Sequence, residues 1–518
     1  MAPQSGMSLG GKVIGNVSFN VVGQAYVAGL SFAVVPYLVH HLGIGPYGVV
    51  ALVVALGGFA SLFNFGIGRS LSKHVAELHW RGDERAIGHL FQNALAVALA
   101  AGVLIIAIGV GFRGPLARTL VHGDSTVQSL GGIAIVVATL GLLASIVMDV
   151  FAGMVVAVQR FEVYSGINIL IASIWQIGSV AVLRLHFTVN AVIVLPLIAT
   201  LIGTAAYVLM LRRLMPSLSF RPAMQWQVLR QLLTFSAAIS FGNASTMLVH
   251  RSDRLMIAHY YPIAALPFYA IPYALSEKTA MGVFNITSAI FPSVSELASQ
   301  QQAERLRTLY LRSSKFVPLA ALPVTIVLWV LARPILALWI DPTFAAQGTL
   351  VLQLLAAGFL INIFGHVPLA TAQAMGEPWL AAEFAFLDGA VSLLFFVVLI
   401  PRYGAAGAAI AFAIGQLAVV PLLVHAVNRR LGVTWKTLVT QSYWRPLVCA
   451  VAGFVFLLIC RPFVFSIWRL MIFGFLSLSV FGLIALVAAV DDRERSEFRL
   501  RLNIAVGHHL SGWPLYRR

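Results

Sequence analysis

Apolar stretches of about 20 residues follow one another along almost the whole of this chain, and they constrain its fold more than any other feature. A helix needs about 20 mostly apolar residues to cross the hydrocarbon core of a bilayer. About fourteen such stretches lie near residues 13–40, 46–68, 89–112, 129–158, 163–184, 188–211, 232–258, 264–291, 316–340, 348–374, 379–400, 404–427, 446–465 and 467–490. The sequence therefore predicts a polytopic membrane protein.

The polar remainder of the chain is too short for a soluble domain. Hydrophobic residues make up 60% of the chain and charged residues 10%, and the connections between the stretches are short. Backbone in hydrocarbon must satisfy its own hydrogen bonds, so membrane spans are helices or closed barrels. The stretches are continuously apolar and lack the alternation of a barrel strand. We therefore expect an all-α integral membrane protein with about fourteen transmembrane helices.

Motifs that bind nucleotides or metals do not occur in the sequence. It has no Walker A motif, no His-Glu-x-x-His and no paired Cys-x-x-Cys. We therefore expect no cofactor, no metal and no direct use of ATP. The connections are also too short to carry the large outer catalytic loop of a membrane enzyme, so no catalytic residue is expected.

Two segments about 220 residues apart share a pattern. In the first, Pro46 opens an apolar span that leads to a Glu-Arg pair at 84–85. In the second, Pro267 opens a span that leads to a Glu-Arg pair at 304–305. An offset of six spans, an even number, gives both copies the same orientation, and parallel repeats are a known transporter plan with the substrate at their interface. Chance similarity between apolar segments is the alternative.

The repeat predicts two pseudo-symmetric six-helix lobes followed by an extra helix pair. The predicted N-terminal lobe covers residues 1–215 and the C-terminal lobe residues 216–430. The extra pair, helices 13 and 14, covers 431–490, and a basic tail covers 491–518.

The basic residues follow the predicted topology. With the N-terminus in the cytoplasm, about 24 of the 34 Lys and Arg fall on inner segments and about six on outer ones. This bias is the positive-inside rule, and it predicts that both termini are cytoplasmic. The net charge of +16 is thereby explained without nucleic acid. The loop 69–89 and the tail are expected to lie on the inner leaflet as interfacial helices, and a disordered tail is the alternative.

A few charged residues lie inside the predicted spans. Glu277 and Lys278 are near the middle of the stretch 266–291, where each costs about 2.5–3.5 kcal/mol on insertion scales. Such residues usually face a polar cavity or a partner, and acidic ones are candidate ion-coupling sites. The candidate acids are Asp149, Asp253, Glu277 and Asp388. Asp149 could instead be a helix-packing acid, and His366 is interpreted as a packed histidine.

Arg251 and Arg254 are three residues apart and share a helix face. Their depth is open, since they either line a cavity or snorkel to the outer interface. Asn16, Asn20 and Gln24 form a polar stripe on the first span. Amides of this kind either join neighbouring helices or line an aqueous cavity.

Several local patterns, in this order, match a known family. They are Pro36-Tyr37-Leu38-x3-Leu42-Gly43-x3-Tyr47-Gly48, Gly66-x2-Arg69, Asp253-Arg254-x2-Ile257, Tyr269, Phe291-Pro292-Ser293, and Gly404-Ala405-x-Gly407-Ala408-Ala409. On these patterns the chain resembles the polysaccharide-transporter branch of the multidrug/oligosaccharidyl-lipid/polysaccharide exporter superfamily. One departure is that Tyr261-Pro262 and Leu266-Pro267 replace the usual glycine-rich turn before span 8.

The resemblance implies a MATE-like fold and the work of a flippase. Members of the family move undecaprenyl-pyrophosphate-linked oligosaccharide units across the bacterial inner membrane for O-antigen, capsule or exopolysaccharide assembly. It also implies contacts with membrane lipids and, as candidate partners, a polysaccharide polymerase and chain-length proteins. We expect a monomer. The alternatives are a multidrug exporter or a lipid II flippase of the same superfamily and, more distantly, a membrane polysaccharide polymerase or ligase.

Such a substrate suits a cavity with basic groups. Arginine and lysine bind a pyrophosphate through charge-assisted hydrogen bonds, and amides suit sugars. We expect alternating access about a central cationic cavity. The predicted substrate-binding residues are Arg251, Arg254, Lys278, Asn16, Asn20, Gln24, Asn64 and Arg69.

Overall fold

The computed structural model describes residues 9–59, 67–226, 228, 230 and 251–489. Every regular element in these ranges is helical, and no β-strand occurs among them. The first half of the chain contains eight described helices. They are α1 (Leu9–Leu42), α2 (Ile44–Gly57), α3 (Ile67–Arg81), α4 (Glu84–Gly111), α5 (Arg113–Leu120), α6 (Ser125–Ala157), α7 (Phe161–Arg184) and α8 (Val189–Leu214).

The second half contains nine described helices. They are α9 (251–260), α10 (Pro267–Ser299), α11 (Ala303–Val330), α12 (Ala332–Trp339), α13 (Pro342–Ala374), α14 (Pro378–Arg430), α15 (Trp435–Leu438), α16 (Trp444–Cys460) and α17 (Ile467–Ile484). A short 3-10 turn at Ile263–Ala265 joins α9 to α10, and another at Arg461–Phe463 follows α16. π-helical turns occur at Val439–Tyr443 and Ala485–Ala489.

The fold confirms the all-α membrane protein that the sequence predicts. Ten helical stretches within the described residues are long and apolar enough to cross a membrane. One of them, α14, has 53 residues, far longer than a bilayer crossing needs. It contains a break at Gly404, whose φ of 55° and ψ of −130° are not helical, so α14 is two helices joined at a kink. The count of fourteen spans stays a prediction.

The internal repeat is visible in the lengths of the elements. Helices α4, α5 and α6 have 28, 8 and 33 residues, and α11, α12 and α13 have the same three lengths in the same order. Each trio begins after a turn with positive φ, at Gly82 in the first copy and Gln301 in the second. Each also ends at such a turn, at Gln159 and Gly376. The sequence of helices and turns is therefore repeated, as the sequence pattern predicts.

Internal contacts divide the chain into two compact units. Unit 1 consists of the residues up to Ile271 together with Ala385–Phe412. Unit 2 consists of Pro272–Phe384 together with the residues from Ala413 onward. Unit 1 thus includes residues from both predicted lobes, whereas unit 2 includes residues of the predicted C-terminal lobe and of the extra helix pair. The lobe boundaries at 215 and 430 stay predictions.

Helix α3 lies where an interfacial helix is predicted, but its apolar face packs on the protein. Leu71 and Val75 are fully buried in a core cluster of unit 1 that also contains Phe91 and Met154. The close approach of α3 to α6 depends on small residues, since a Cβ added at Gly153 of α6 would lie 2.5 Å from the backbone oxygen of Gly68 in α3. Protein contacts therefore cover the face that was expected to meet the leaflet. The predicted tail helix lies outside the described residues.

Candidate functional site

The charged cluster at residues 251–254 lies on α9, which continues as a helix to residue 260. Asp253 is 1% exposed and Arg254 is 8% exposed, while Arg251 is half-buried. The sequence leaves open whether the two arginines line a cavity or reach the outer interface. Arg254 is too buried for a side chain that reaches an exposed interface. A buried charge is costly unless it is paired, so the contacts of the cluster decide what it can do.

The Asp253 carboxylate accepts hydrogen bonds on both oxygens. Its Oδ2 accepts from the hydroxyl of Tyr269 at 2.5 Å, and its Oδ1 accepts from the backbone N–H of Arg254 at 2.6 Å. Tyr269 is fully buried on the first turn of α10. The positive charges of Arg254 and Arg251 also act on this carboxylate. Two guanidinium groups and one carboxyl group thus lie on one turn of α9.

The Arg251 guanidinium lies against the end of α2. A Cβ added at Gly58, the residue that caps α2, would lie 2.5 Å from Arg251 Cζ and 2.6 Å from its Nη1. Glycine at this position therefore lets a guanidinium reach the helix backbone. The C-terminal end of a helix carries partial negative charge, which favours a cation there.

Several backbone contacts hold the end of α9 within unit 1. The backbone N–H of Ile263 donates to the carbonyl of His122 at 2.8 Å, and a Cβ at Gly48 of α2 would lie 2.4 Å from the Ile263 carbonyl oxygen. The ring of Tyr261 packs over Gly404, and its hydroxyl donates to the carbonyl of Pro401 at 3.2 Å. The proline-containing turn that departs from the family pattern is therefore fixed by contacts with α2, the α5–α6 connection and the kink of α14.

Glu277 and Lys278 lie on α10, within unit 2. Lys278 is exposed and its Nζ lies 3.7 Å from Met281 Sδ, while Glu277 is half-buried. The membership of Lys278 in the binding site stays a prediction.

The predicted polar stripe on α1 is described only in part. Gln24 is half-buried. The side chains of Asn16, Asn20 and Arg69, and the whole of Asn64, lie outside what the structure describes. Further along α1, polar side chains bind α7: Gln176 Nε2 donates to Ser31 Oγ at 2.8 Å, and the Tyr26 and Ser173 hydroxyls are 3.0 Å apart. These contacts join α1 to α7. Joining neighbouring helices is one of the two roles that the sequence leaves open for the polar residues of α1.

Asp149 lies on α6 beside the first turn of α3. A Cβ added at Gly68 would lie 2.5 Å from Asp149 Oδ2. The carboxylate therefore packs against α3 backbone, a position that suits a helix-packing acid, and its role in ion coupling stays a prediction. Asp388 of α14 accepts from the Ser392 hydroxyl one turn later, at 3.4 Å.

His366 belongs to a hydrogen-bonded chain in unit 2. Its Nε2 lies 3.1 Å from Asn362 Oδ1, and Asn362 Nδ2 donates to Gln416 Oε1 at 2.7 Å. Because the Asn362 carbonyl oxygen can only accept, His366 Nε2 carries a proton in this arrangement. These two hydrogen bonds link α13 to α14, as expected for a packed histidine.

Unit 2 contains a buried cation, Lys315, that is not among the predicted site residues. Lys315 of α11 is 3% exposed and its Nζ lies 5.4 Å from the centre of the Phe316 ring. One turn earlier, the buried hydroxyl of Tyr310 donates to Asn428 Oδ1 at 2.8 Å. Lys315 is adjacent to the predicted span 316–340, so sequence reasoning assigns it to an inner loop. The sequence signal for the burial of Lys315 is that it directly precedes an apolar run on the same helix.

Groups of three or more His, Cys, Asp or Glu side chains able to hold a metal do not occur in the described part of the chain.

Residues 42–343 match the model of the family described as "Polysaccharide biosynthesis protein". Among individual relatives, the "Putative O-antigen transporter" of Shigella flexneri is 23% identical over 412 residues, which are 78% of this chain and 94% of that protein. The "Probable low-salt glycan biosynthesis flippase Agl15" of Haloferax volcanii is 23% identical over 443 residues, 84% of this chain and 86% of that protein.

Solved transporter structures share the fold. The lipid II flippase MurJ in an inward closed conformation has a TM-score of 0.69 at 10% identity, over 90% of this chain and 98% of that one. An inward-facing multidrug resistance MATE family transporter of the MOP superfamily has a TM-score of 0.61 at 15% identity, over 83% of this chain and 96% of that one. At these identities the likeness shows the fold, and it confirms the MATE-like architecture.

Proposed function

The chain belongs to the polysaccharide biosynthesis protein family, and from that membership we propose that it is a flippase for lipid-linked oligosaccharides. Relatives that match most of its length are described as an O-antigen transporter and a glycan biosynthesis flippase. Its relatives and structural neighbours are transporters and flippases, so the chain is a membrane transporter and not an enzyme.

The observation that supports this cargo is the buried cation cluster of unit 1. Arg254 is almost fully buried, and the acid next to it, Asp253, already accepts two hydrogen bonds. Arg251 and Arg254 bring two guanidinium groups to this cluster, and such groups bind a pyrophosphate through charge-assisted hydrogen bonds. In the proposed role, Arg251 and Arg254 bind the anionic head group. Lys278, on the part of α10 that belongs to unit 2, is proposed as a further substrate-binding residue.

The proposed cargo is an undecaprenyl-pyrophosphate-linked oligosaccharide, moved across the bacterial inner membrane by alternating access. Its lipid tail stays in the hydrocarbon while the head group crosses. Both termini lie in the cytoplasm in this proposal, following the distribution of basic residues. Asn16, Asn20, Gln24, Asn64 and Arg69 are proposed to line the route, and a polymerase and chain-length proteins are proposed partners.

A cell-based assay tests the proposal. A host that lacks its own flippase and makes the matching lipid-linked oligosaccharide should regain surface polysaccharide with the natural chain. Arg254→Ala and Lys278→Ala should each reduce it about ten- to a hundredfold, since a hydrogen bond to a charged group contributes roughly 1.5–3 kcal/mol.

Arg402→Ala is the matched control, because Arg402 is an exposed arginine of unit 1 outside the cluster. It should restore polysaccharide like the natural chain. Membrane fractions must contain equal amounts of each folded variant. Normal polysaccharide with both Arg254→Ala and Lys278→Ala would refute the assigned roles.

A further inference from the structure

A second basic site lies within unit 2. A cavity of about 610 Å³ is formed where α12 meets the end of α16. Arg333 and Leu338 line it from α12, and Leu458 and Arg461 line it from the end of α16 and the 3-10 turn after it. The cavity thus has two cationic side chains and an apolar wall.

The two arginines have no protein partner in the described part of the chain. Neither Arg333 nor Arg461 forms a hydrogen bond or an ion pair there, and both are exposed. Arg469, which is close in sequence, instead stacks its guanidinium 3.8 Å from the centre of the Phe465 ring. Two like charges that face one cavity repel each other, and an anion between them removes this repulsion.

The surroundings of the cavity are those of a membrane boundary. Arg461 directly follows α16, the last part of a helical stretch long and apolar enough to span a membrane. Phe463 at the end of this stretch, Phe465 in the connection and Trp468 in the first turn of α17 are all exposed. Exposed aromatic residues at the ends of apolar helices are typical of the interface between hydrocarbon and head groups.

We propose that Arg333 and Arg461 bind the phosphate of a membrane lipid whose chain lies along Leu338, Leu458 and Val464. Guanidinium groups bind phosphate oxygens in pairs of charge-assisted hydrogen bonds, and the apolar wall beside them suits a lipid chain. The ligand is a lipid phosphate, supplied either by an anionic phospholipid or by a polyprenyl phosphate. The site does not depend on the cargo proposed for unit 1.

The first copy of the repeat offers a natural comparison. Its short helix α5 has Pro115 at the position of Pro334 and carries Arg113 at its start. The cavity beside α5, about 590 Å³, is lined by residues such as Leu116 and Leu120, and no charged side chain lines it. Arg113 is therefore an exposed arginine on an equivalent helix without the proposed site.

Lipid binding to the purified full chain tests the proposal. The delipidated protein is titrated with phosphatidylglycerol or phosphatidylcholine, and bound lipid is counted by native mass spectrometry. The natural chain should retain phosphatidylglycerol in preference to phosphatidylcholine. The double variant Arg333→Gln with Arg461→Gln should bind phosphatidylglycerol about tenfold more weakly or worse, because it loses the hydrogen bonds of two charged groups.

Arg113→Gln and Arg469→Gln should bind like the natural chain, and circular dichroism should show the same helix content in all variants. The single variants Arg333→Gln and Arg461→Gln serve if the double variant does not fold. Unchanged phosphatidylglycerol binding in the Arg333 and Arg461 variants, or an equal loss in Arg113→Gln, would overturn the proposal.

Competition identifies the source of the phosphate. Undecaprenyl phosphate that displaces phosphatidylglycerol at lower concentration than phosphatidic acid supports a polyprenyl lipid, and the reverse order supports a phospholipid. Inorganic phosphate should not compete at the concentrations at which these lipids saturate the site, because it gains nothing from the apolar wall. Equal competition by inorganic phosphate would contradict a lipid site.

Discussion

At the scale of single residues, the α9 cluster combines predicted side chains with partners that the sequence does not reveal. The three-residue spacing of Arg251 and Arg254 predicts a shared basic face, and the structure places both on one helix. Tyr269 and Gly58 contact the cluster from other helices. Such contacts depend on how helices pack, so no spacing rule predicts them.

Gly58 and its neighbour Gly57 provide a matched pair of variants. A Cβ at Gly58 would meet the Arg251 guanidinium, whereas one at Gly57 would meet nothing within 4 Å. Gly58→Ala should therefore push aside the flexible end of Arg251 and reduce transport several-fold while the protein stays folded. Gly57→Ala should transport normally. Equal transport by the two variants, measured at equal membrane abundance, would show that the position of Arg251 is unimportant.

Tyr269→Phe removes the hydroxyl that donates to the buried Asp253 carboxylate. A buried acceptor that loses its donor costs about 1–3 kcal/mol, so the purified variant should unfold at lower temperature. Adding Asp253→Asn should cost less in the Tyr269→Phe background than in the natural chain, since the two groups act as a pair. Strictly additive losses in melting temperature would mean that the hydrogen bond contributes nothing.

At the scale of helices, apolar runs predict where the spans lie better than where they break. The predicted stretch 163–184 agrees closely with α7, Phe161–Arg184. In contrast, the predicted stretch 316–340 includes both the end of α11 and the whole of α12. Residues on both sides of the break at Leu331 are apolar, so hydropathy contains no signal there.

Turns with positive φ mark equivalent helix ends in the two copies and predict opposite effects of substitution. Gln159 has a φ of 56° where the second copy has Gly376 with a φ of 85°. Left-handed backbone costs a residue with a Cβ roughly 1–2 kcal/mol, so Gln159→Gly should stabilise the protein and Gly376→Ala should destabilise it by about that amount.

Gly166→Ala is the control for these turn variants. Gly166 lies inside α7 with no atom within 4 Å of an added Cβ, so alanine should stabilise that helix slightly. Melting temperatures of the detergent-solubilised protein should therefore rise for Gln159→Gly and Gly166→Ala and fall for Gly376→Ala. A rise with Gly376→Ala would mean that the turn does not require its positive φ.

At the scale of the whole molecule, the architecture follows from two sequence signals. The apolar runs predict an all-helical membrane protein, and the Pro46 and Pro267 segments predict the repeat. The grouping of Ala385–Phe412 with the first 271 residues is not predictable from either signal, because it depends on long-range packing. The pocket at Arg333 is not predictable from these signals either. Arg333 falls inside the predicted span 316–340, so the sequence assigns it to neither an inner nor an outer segment.

The proposed cargo is tested most directly by the initial rate of head-group translocation in vesicles that contain the purified chain. Three cargoes are compared: an undecaprenyl-pyrophosphate-linked oligosaccharide, lipid II and a cationic drug. The lipid-linked oligosaccharide should cross at least about tenfold faster than either of the others, and Arg254→Ala should bring its rate close to that of protein-free vesicles. Faster movement of lipid II or the drug, with the oligosaccharide no faster than in protein-free vesicles, would contradict the proposed function.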